Sequence, residues 1–447
     1  MNLVIEKDNI PDIKDQAKQL AVDALSASDI NSLLKFSFIH PHAELLFGKD
    51  PCYRHSIIDE DFYAFIKQAV LSHPLKEWVE ENRYVNAYDR PCKLKVGVVL
   101  EGFSSTQAPI QRYRTLAKFY DKSKFSLHFY SRLSGDFRNF KTEKYDLVID
   151  ELVSSGCHVS FPNHDFSPIK EIEFLAKSIV SDEIDILFFQ TVYFVPQFNF
   201  LSCLHTTPFQ AGGSHQQPEL SRELDCVDSP KSFLPYQVTD CIPLFAPMNM
   251  DDSLPAYDRK EFGIPADAVI MISSNRAIKY HNEANKGFWK GIEAVLERHK
   301  NVWFIPLGLE NGEFSHERIL KLGFRTDAVQ FYKMSDIYVD IWTHTSRGVM
   351  EAGYVGVPSI TFHRRGQPFS VLNQDLTEDF TPHTALVVRD PEEWHYVLDR
   401  LILDTEYRKQ MGEVCYTFTR KFEPKKSVNL FLSALEDRFW RKVRNGM

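Results

Sequence analysis

Leu94-Lys95-Val96-Gly97-Val98-Val99-Leu100 is nearly unbroken aliphatic sequence, and it runs into the turn Glu101-Gly102-Phe103-Ser104-Ser105. Over 110–120 the apolar residues then fall three and four apart. A short apolar run closed by Gly and Ser reads as a buried strand, and the spacing behind it reads as a helix. This strand, loop and helix unit is the repeating theme of most of the chain.

Downstream, strands are expected at 125–130, 145–149, 184–189 and 209–212, with a helix over 169–179. Alternation of this kind predicts a parallel sheet with right-handed crossovers. A Pro- and Asp-rich passage at 247–265 reads as a linker, and a second series of the same kind follows it. There the expected strands are 269–273, 302–307, 329–332, 337–341 and 359–362; the expected helices are 286–298, 348–355 and 392–403, with a mostly helical tail over 406–443. Upstream, residues 1–92 show only helical spacing, at 13–25, 30–34, 62–71 and 75–79, and no 34-residue repeat. The expected organisation is a helical N-terminal domain (1–92), a Rossmann-like acceptor-side domain (93–250) and a second, nucleotide-sugar-binding Rossmann-like domain with C-terminal helices (251–447). An α/β chain with two such domains facing a cleft has the plan of the GT-B glycosyltransferases, an analogy of fold alone.

The composition is that of an ordinary globular protein: 447 residues, 43% hydrophobic and 25% charged. A net charge of −9 argues against a surface built to hold nucleic acid stably. Seven cysteines without a CxxC pair read as reduced thiols of a cytosolic protein. Met1-Asn2-Leu3-Val4-Ile5-Glu6-Lys7-Asp8 lacks a signal-peptide layout, and no apolar run approaches the roughly 18 residues of a membrane span, so a cytoplasmic protein is expected. Neither GxxxxGK[ST] nor GxGxxG occurs, which removes P-loop and standard dinucleotide chemistry.

Three segments carry chemistry. The strand at 269–273 empties into Ser274-Asn275-Arg276-Ala277-Ile278-Lys279, placing two cations past the carboxyl edge of a sheet, where charge-assisted hydrogen bonds to a phosphate are each worth about 1.5–3 kcal/mol. Two solvated loop cations would give the same hexapeptide. Thr343-His344-Thr345-Ser346-Arg347-Gly348 opens a helix whose free N–H groups suit an anion, with Ser346 as N-cap. Glu351, one turn in, is placed to reach ribose hydroxyls, although an acid in a first turn also favours the helix itself. Thr207-Pro208-Phe209-Gln210-Ala211-Gly212-Gly213-Ser214-His215 puts an imidazole beyond a strand end, as acceptor-side base, hydrogen-bond donor or structural group. His205, His281, His344 and His363 lack comparable context. Asp182, Glu183 and Asp185 precede a strand and Asp59-Glu60-Asp61 lies in the helical segment, so no metal site is expected.

Taken in order from residue 93 to about 439, these segments resemble family 41 glycosyltransferases, the O-GlcNAc transferases and bacterial cytoplasmic N-glucosyltransferases. Val96-Gly97-Val98-Val99 through Phe103-Ser104-Ser105 is similar to that family's first strand and Gly-rich loop. Phe200-Leu201-Ser202-Cys203-Leu204-His205-Thr206-Thr207-Pro208-Phe209-Gln210-Ala211 resembles its "LRPAPIQ" segment, and Ser214-His215 to Asp225 the "GHP…D" turn of the N-glucosyltransferase branch. The hexapeptide ending in Lys279 resembles "FNxxxK".

The resemblance implies a metal-independent inverting transferase moving glucose or GlcNAc from UDP to a polypeptide side chain, with no cofactor besides the UDP-sugar donor. It implies that His215 and Lys279 are catalytic and that Asn275, Arg276, Lys279, Ser346, Arg347, Gly348 and Glu351 hold the donor. Departures stand beside it. Thr106 falls where O-GlcNAc transferases have histidine, Arg347 replaces a small polar residue, and no tetratricopeptide array precedes the domains. Glu351 also suits the second acid of the family 4 EX7E motif, but Thr343 occupies the first acid's place. A non-protein acceptor (lipid-linked sugar, polysaccharide, small molecule or nucleic-acid base) and a non-catalytic substrate-binding subunit are the rival expectations. The oligomeric state is left open.

Overall fold

The computed structural model describes residues 10–37, 60–84, 93–103, 108–132, 143–162, 166–190, 195–213, 223–228, 241–242, 245, 247, 250, 253–275, 277–281, 285–312, 314–342, 347–362 and 385–446. They form two compact units.

The first unit is built on seven parallel strands: β1 (Leu94–Leu100), β2 (Phe125–Ser131), β3 (His158–Ser160), β4 (Ile186–Phe189), β5 (Phe209–Gly213), β6 (Cys226–Asp228) and β7 (Cys241–Ile242). Their spatial order is β3-β2-β1-β4-β5-β6-β7. Val98 sits between Phe129 and Phe188 on one face and Val99 between Tyr130 and Phe189 on the other, so the centre of the sheet is apolar on both faces, as helices covering both sides require. One face takes α1 (Ile10–Ser26), α2 (Glu60–Ser72) and α3 (Pro74–Asn82). The helical segment is therefore a layer of this unit, where the sequence suggested a domain of its own. Two helices of the repeating theme lie on the opposite face, α4 (Ala108–Phe119) and α5 (Glu143–Ser154), whereas α6 (Pro168–Ser181) and α7 (Pro196–Leu204) share the face of the N-terminal helices.

The second unit is a five-stranded parallel sheet of β8 (Val269–Ser274), β9 (Val302–Leu307), β10 (Ile337–Val339), β11 (Ser359–Phe362) and β12 (Ala385–Val388), in the order β12-β11-β10-β8-β9. Its helices are α8 (Ala277–Tyr280), α9 (Lys286–Arg298), α10 (Ala328–Met334), α11 (Arg347–Tyr354), α12 (Pro391–Leu403) and α13 (Thr405–Thr419). The last helix, α14 (Pro424–Arg444), belongs to the first unit: Phe431 stacks on Phe245 at 4.3 Å and meets Phe188 edge-on at 5.1 Å. The sequence reading had grouped that helix with residues 251–447.

Two expected strands are helices. At 145–149, Val148 and Leu152 are buried while Leu147 is 58% exposed, the spacing of a helix face. At 329–332 the chain forms α10. Both segments connect parallel strands of one sheet (β2 to its neighbour β3, and β9 to β10 on the far side of β8), which demand a crossover, and a segment of four or five residues is too short to show a period of its own.

Register is pinned by a device used three times. An aspartate immediately before a strand accepts the backbone N–H near the start of the neighbouring strand: Asp185 from Lys95 at 2.8 Å, Asp225 from Gln210 at 2.8 Å, and Asp336 from Ile270 at 2.8 Å. Such charge-assisted bonds fix which residues face each other across parallel strands. The acids at 182–185, which the sequence set aside as metal ligands, include one of these pins.

Candidate functional site

Open α/β sheets bind ligands beyond the carboxyl ends of their strands, where the strand order reverses. In the second unit that point lies between β8 and β10, and two of the expected segments leave the sheet there.

Beyond β8, Asn275 is held by its backbone, whose N–H donates to the Leu307 carbonyl at 3.1 Å, and its Nδ2 donates to Ser273 Oγ at 3.3 Å. The following turn of helix, α8, carries Lys279. The Lys279 carbonyl accepts from Asn285 Nδ2 at 2.7 Å, the buried Tyr280 hydroxyl donates to the Leu307 carbonyl at 3.2 Å, and Trp289 Nε1 donates to the Tyr280 carbonyl at 3.1 Å. The backbone that carries the lysine is thus bolted to β9 and α9.

Beyond β10, α11 begins at Arg347, and Gly348 lies directly on the ring of Tyr338. A Cβ on Gly348 would come within 2.7 Å of Tyr338 Cζ, so only glycine lets the helix start this close to the sheet. The Tyr338 hydroxyl in turn accepts the Ser274 N–H at 3.3 Å, joining the start of α11 to the end of β8. Glu351 is shared: its Oε1 accepts from Arg347 Nε at 3.0 Å and its Oε2 from the Tyr332 hydroxyl at 3.0 Å. Burial, followed by the Glu351 charge, pushes the Tyr332 hydroxyl well above its ordinary pKa, so it stays a donor.

The structure therefore brings Asn275, Lys279, Arg347, Gly348 and Glu351 to the carboxyl edge of one sheet. Arg276 and Ser346 lie outside the described residues, as does His215. Arg347 is engaged with Glu351, four residues on, a pairing whose spacing was legible in the sequence. Tyr332 and Tyr338 escaped the sequence reading, because nothing local marks a tyrosine whose hydroxyl bonds to a distant element, Glu351 on α11 for the first and Ser274 at the end of β8 for the second.

In the first unit β5 ends at Gly213, two residues before position 215. A Cβ on Gly213 would fall 2.7 Å from the Gln190 carbonyl oxygen, so glycine is needed where β5 passes the end of β4. Asp225, besides pinning β5, receives Lys442 of α14 at 2.7 Å. His205 makes a structural node: its Nε2 meets Glu223 at 2.7 Å, which also accepts from Lys67 at 2.7 Å and from the Tyr63 hydroxyl. The His205 bond first, then those from Lys67 and Tyr63, pull the Glu223 carboxyl down to about 2 against its own burial. Among the described residues no group of His, Cys, Asp and Glu could hold a metal, and no helix is long and apolar enough to cross a membrane.

The strand orders are those of two Rossmann-like units, the first with the 3-2-1-4-5-6 arrangement and the second with the 2-1-3-4-5 arrangement. Together they give the chain the GT-B fold. No protein-family profile and no curated protein matches the sequence. Solved structures do match the fold. A mutant O-GlcNAc transferase from Thermobaculum terrenum aligns over 100% of both chains at 13% identity with a TM-score of 0.58. A glycosyltransferase from Rickettsia africae covers 79% of this chain and 100% of its own at 12% identity and TM-score 0.56. Anabaena HepE, in complex with UDP and glucose, covers 77% and 100% at 14% identity and TM-score 0.53.

Proposed function

We propose that this protein is a glycosyltransferase that moves glucose or GlcNAc from UDP to a protein side chain, with inversion and without a metal. One observation carries the reading: the Asn275–Lys279 segment and the start of α11 converge on one switch point through Tyr338 and Ser274. In this reading Lys279 and Arg276 neutralise the departing diphosphate, the N–H groups at Ser346, Arg347 and Gly348 receive it, and Glu351 accepts a ribose hydroxyl while Tyr332 holds its other oxygen. His215 stands on the acceptor side as base or hydrogen-bond donor. The fold shared with the UDP- and glucose-bound Anabaena protein and with the Thermobaculum O-GlcNAc transferase supports this donor class.

A non-protein acceptor is the second reading, favoured by the docking of the N-terminal helices as a layer on the first sheet in place of a free-standing peptide-binding array. Intact-mass analysis of host proteins with and without the gene separates the two: hexose or N-acetylhexosamine increments that persist under EDTA treatment of the reconstituted reaction support the first. UDP release without any protein increment supports the second, and UDP binding with neither supports a substrate-binding subunit.

A further inference from the structure

The first sheet has a switch point of its own, between β1 and β4, and its occupants were not singled out as functional by the sequence. Two glutamines stand there, Gln190 just past β4 and Gln197 in the first turn of α7, and they are only 6% and 7% exposed. The Glu101 N–H donates to Gln190 Oε1 at 3.2 Å, and the Gln190 N–H donates to the Val99 carbonyl at 2.9 Å. Arg132, just past β2, donates its N–H to the Leu100 carbonyl at 3.3 Å and its Nη1 to Gln197 Oε1 at 2.9 Å. Both side chains are thus tied to the end of β1. A backbone N–H and a guanidinium can only donate, so each carboxamide must turn its oxygen towards them and its Nε2 away. Among the described residues nothing accepts from either Nε2, and neither nitrogen is sealed from solvent. Two largely buried carboxamides, each locked in one orientation, therefore present N–H donors at a strand-end site.

We propose that Gln190 and Gln197 form a subsite of the first unit that binds main-chain carbonyl oxygens of the acceptor polypeptide, an assignment that rests on the protein-acceptor reading above. A carbonyl oxygen only accepts, so N–H donors alone satisfy it. A sugar hydroxyl must also place its own proton, and both glutamine oxygens are already engaged. Phosphate and carboxylate groups draw their strongest bonds from charged donors, whereas a carboxamide is neutral and Arg132 Nη1 is occupied by Gln197. Because each Oε1 is held before the ligand arrives, little side-chain freedom is left to lose on binding. Main-chain recognition of this kind grips a polypeptide without reading its side chains.

The test removes each outward nitrogen and keeps the inward bond. In Gln190→Glu and Gln197→Glu one oxygen still accepts from Glu101 or Arg132, while the other puts an acceptor where the N–H donor stood. Binding is read by NMR from the side-chain amide signals of isotope-labelled glutamines, assigned by their loss in the two variants, during titration with acetyl-triglycine amide, methyl glucoside and inorganic phosphate. The expected result is that the peptide shifts both signals and the sugar and phosphate shift neither. In parallel, each variant lowers incorporation of labelled sugar from the UDP donors into host protein about tenfold or more, with UDP affinity and melting temperature unchanged. Signals that stay still with the peptide, or move as far with methyl glucoside or phosphate, overturn the assignment, and so does incorporation within threefold of wild type in both variants. A peptide that shifts both signals in a wild type that labels no host protein supports the carbonyl subsite and overturns the protein-transfer reading instead.

Discussion

Replacing Gly348 with alanine probes the joint between α11 and β8 that defines the proposed donor site. An added Cβ would lie 2.7 Å from Tyr338 Cζ and 2.9 Å from Cε2. Ordinary carbon contacts are about 3.5–4.0 Å, so ring or helix must retreat by about 1 Å. The ring is fully buried and its hydroxyl holds Ser274, which leaves the helix to move. Overpacking of this kind costs about 1–3 kcal/mol, and the better helix propensity of alanine returns about 1, for a net loss of about 0–2 kcal/mol. Displacing the N–H groups that receive a diphosphate weakens at least one charge-assisted bond worth about 1.5–3 kcal/mol, so UDP affinity falls about tenfold or more. Calorimetry with UDP and thermal melting read the two effects separately. Gly356→Ala is the control: its φ of +85° makes alanine strained by about 1–2 kcal/mol, yet nothing lies within 4 Å, so UDP affinity holds. If Gly348→Ala binds UDP within twofold of wild type, α11 does not hold the diphosphate.

Glu223→Gln should cost about 1–2 kcal/mol at pH 7 once solvent screening is allowed for, because the carboxylate is held far below its ordinary pKa. The stabilisation is full above the ordinary value of 4.5 and is lost as pH falls towards about 2, so the gap between wild type and variant in urea melts must narrow over that window. A gap independent of pH there would show that the node acts by shape alone. Phe431→Ala removes a ring that is 1% exposed and should cost about 3–5 kcal/mol, with faster hydrogen exchange across β4 and β5 and none added across β8 and β9. Equal acceleration in both sheets would contradict the assignment of α14 to the first unit.

Much of this architecture is legible in the residues. The run at 94–100 is β1, the runs at 269–273 and 302–307 are β8 and β9, and helical spacing locates α9 and α12. Periodicity fails where a segment is too short to show it, as at 145–149 and 329–332, or where a strand is polar, as in His158-Val159-Ser160. The segments proposed to hold the donor stand out in the sequence because strand-end cations and a helix start are local signals. Their connection does not, since Tyr338 reaches Ser274 across 64 residues and Tyr332 reaches Glu351 across 19. Glu101 reads in the sequence as part of a turn, and its place at a switch point exists only once β4 pairs with β1. The return of α14 to the first sheet is likewise a property of packing: its apolar face, with Phe431, Leu435 and Phe439, fits any sheet, and nothing in the sequence names which.

The central claim is that the β8–β10 switch point binds a uridine diphosphate through Lys279. Calorimetric titration of UDP, beside ADP and GDP, into wild type and Lys279→Ala tests it most directly. The account predicts selective UDP binding that weakens at least tenfold in the variant; wild type that ignores UDP, or a variant that binds it as tightly, contradicts the account.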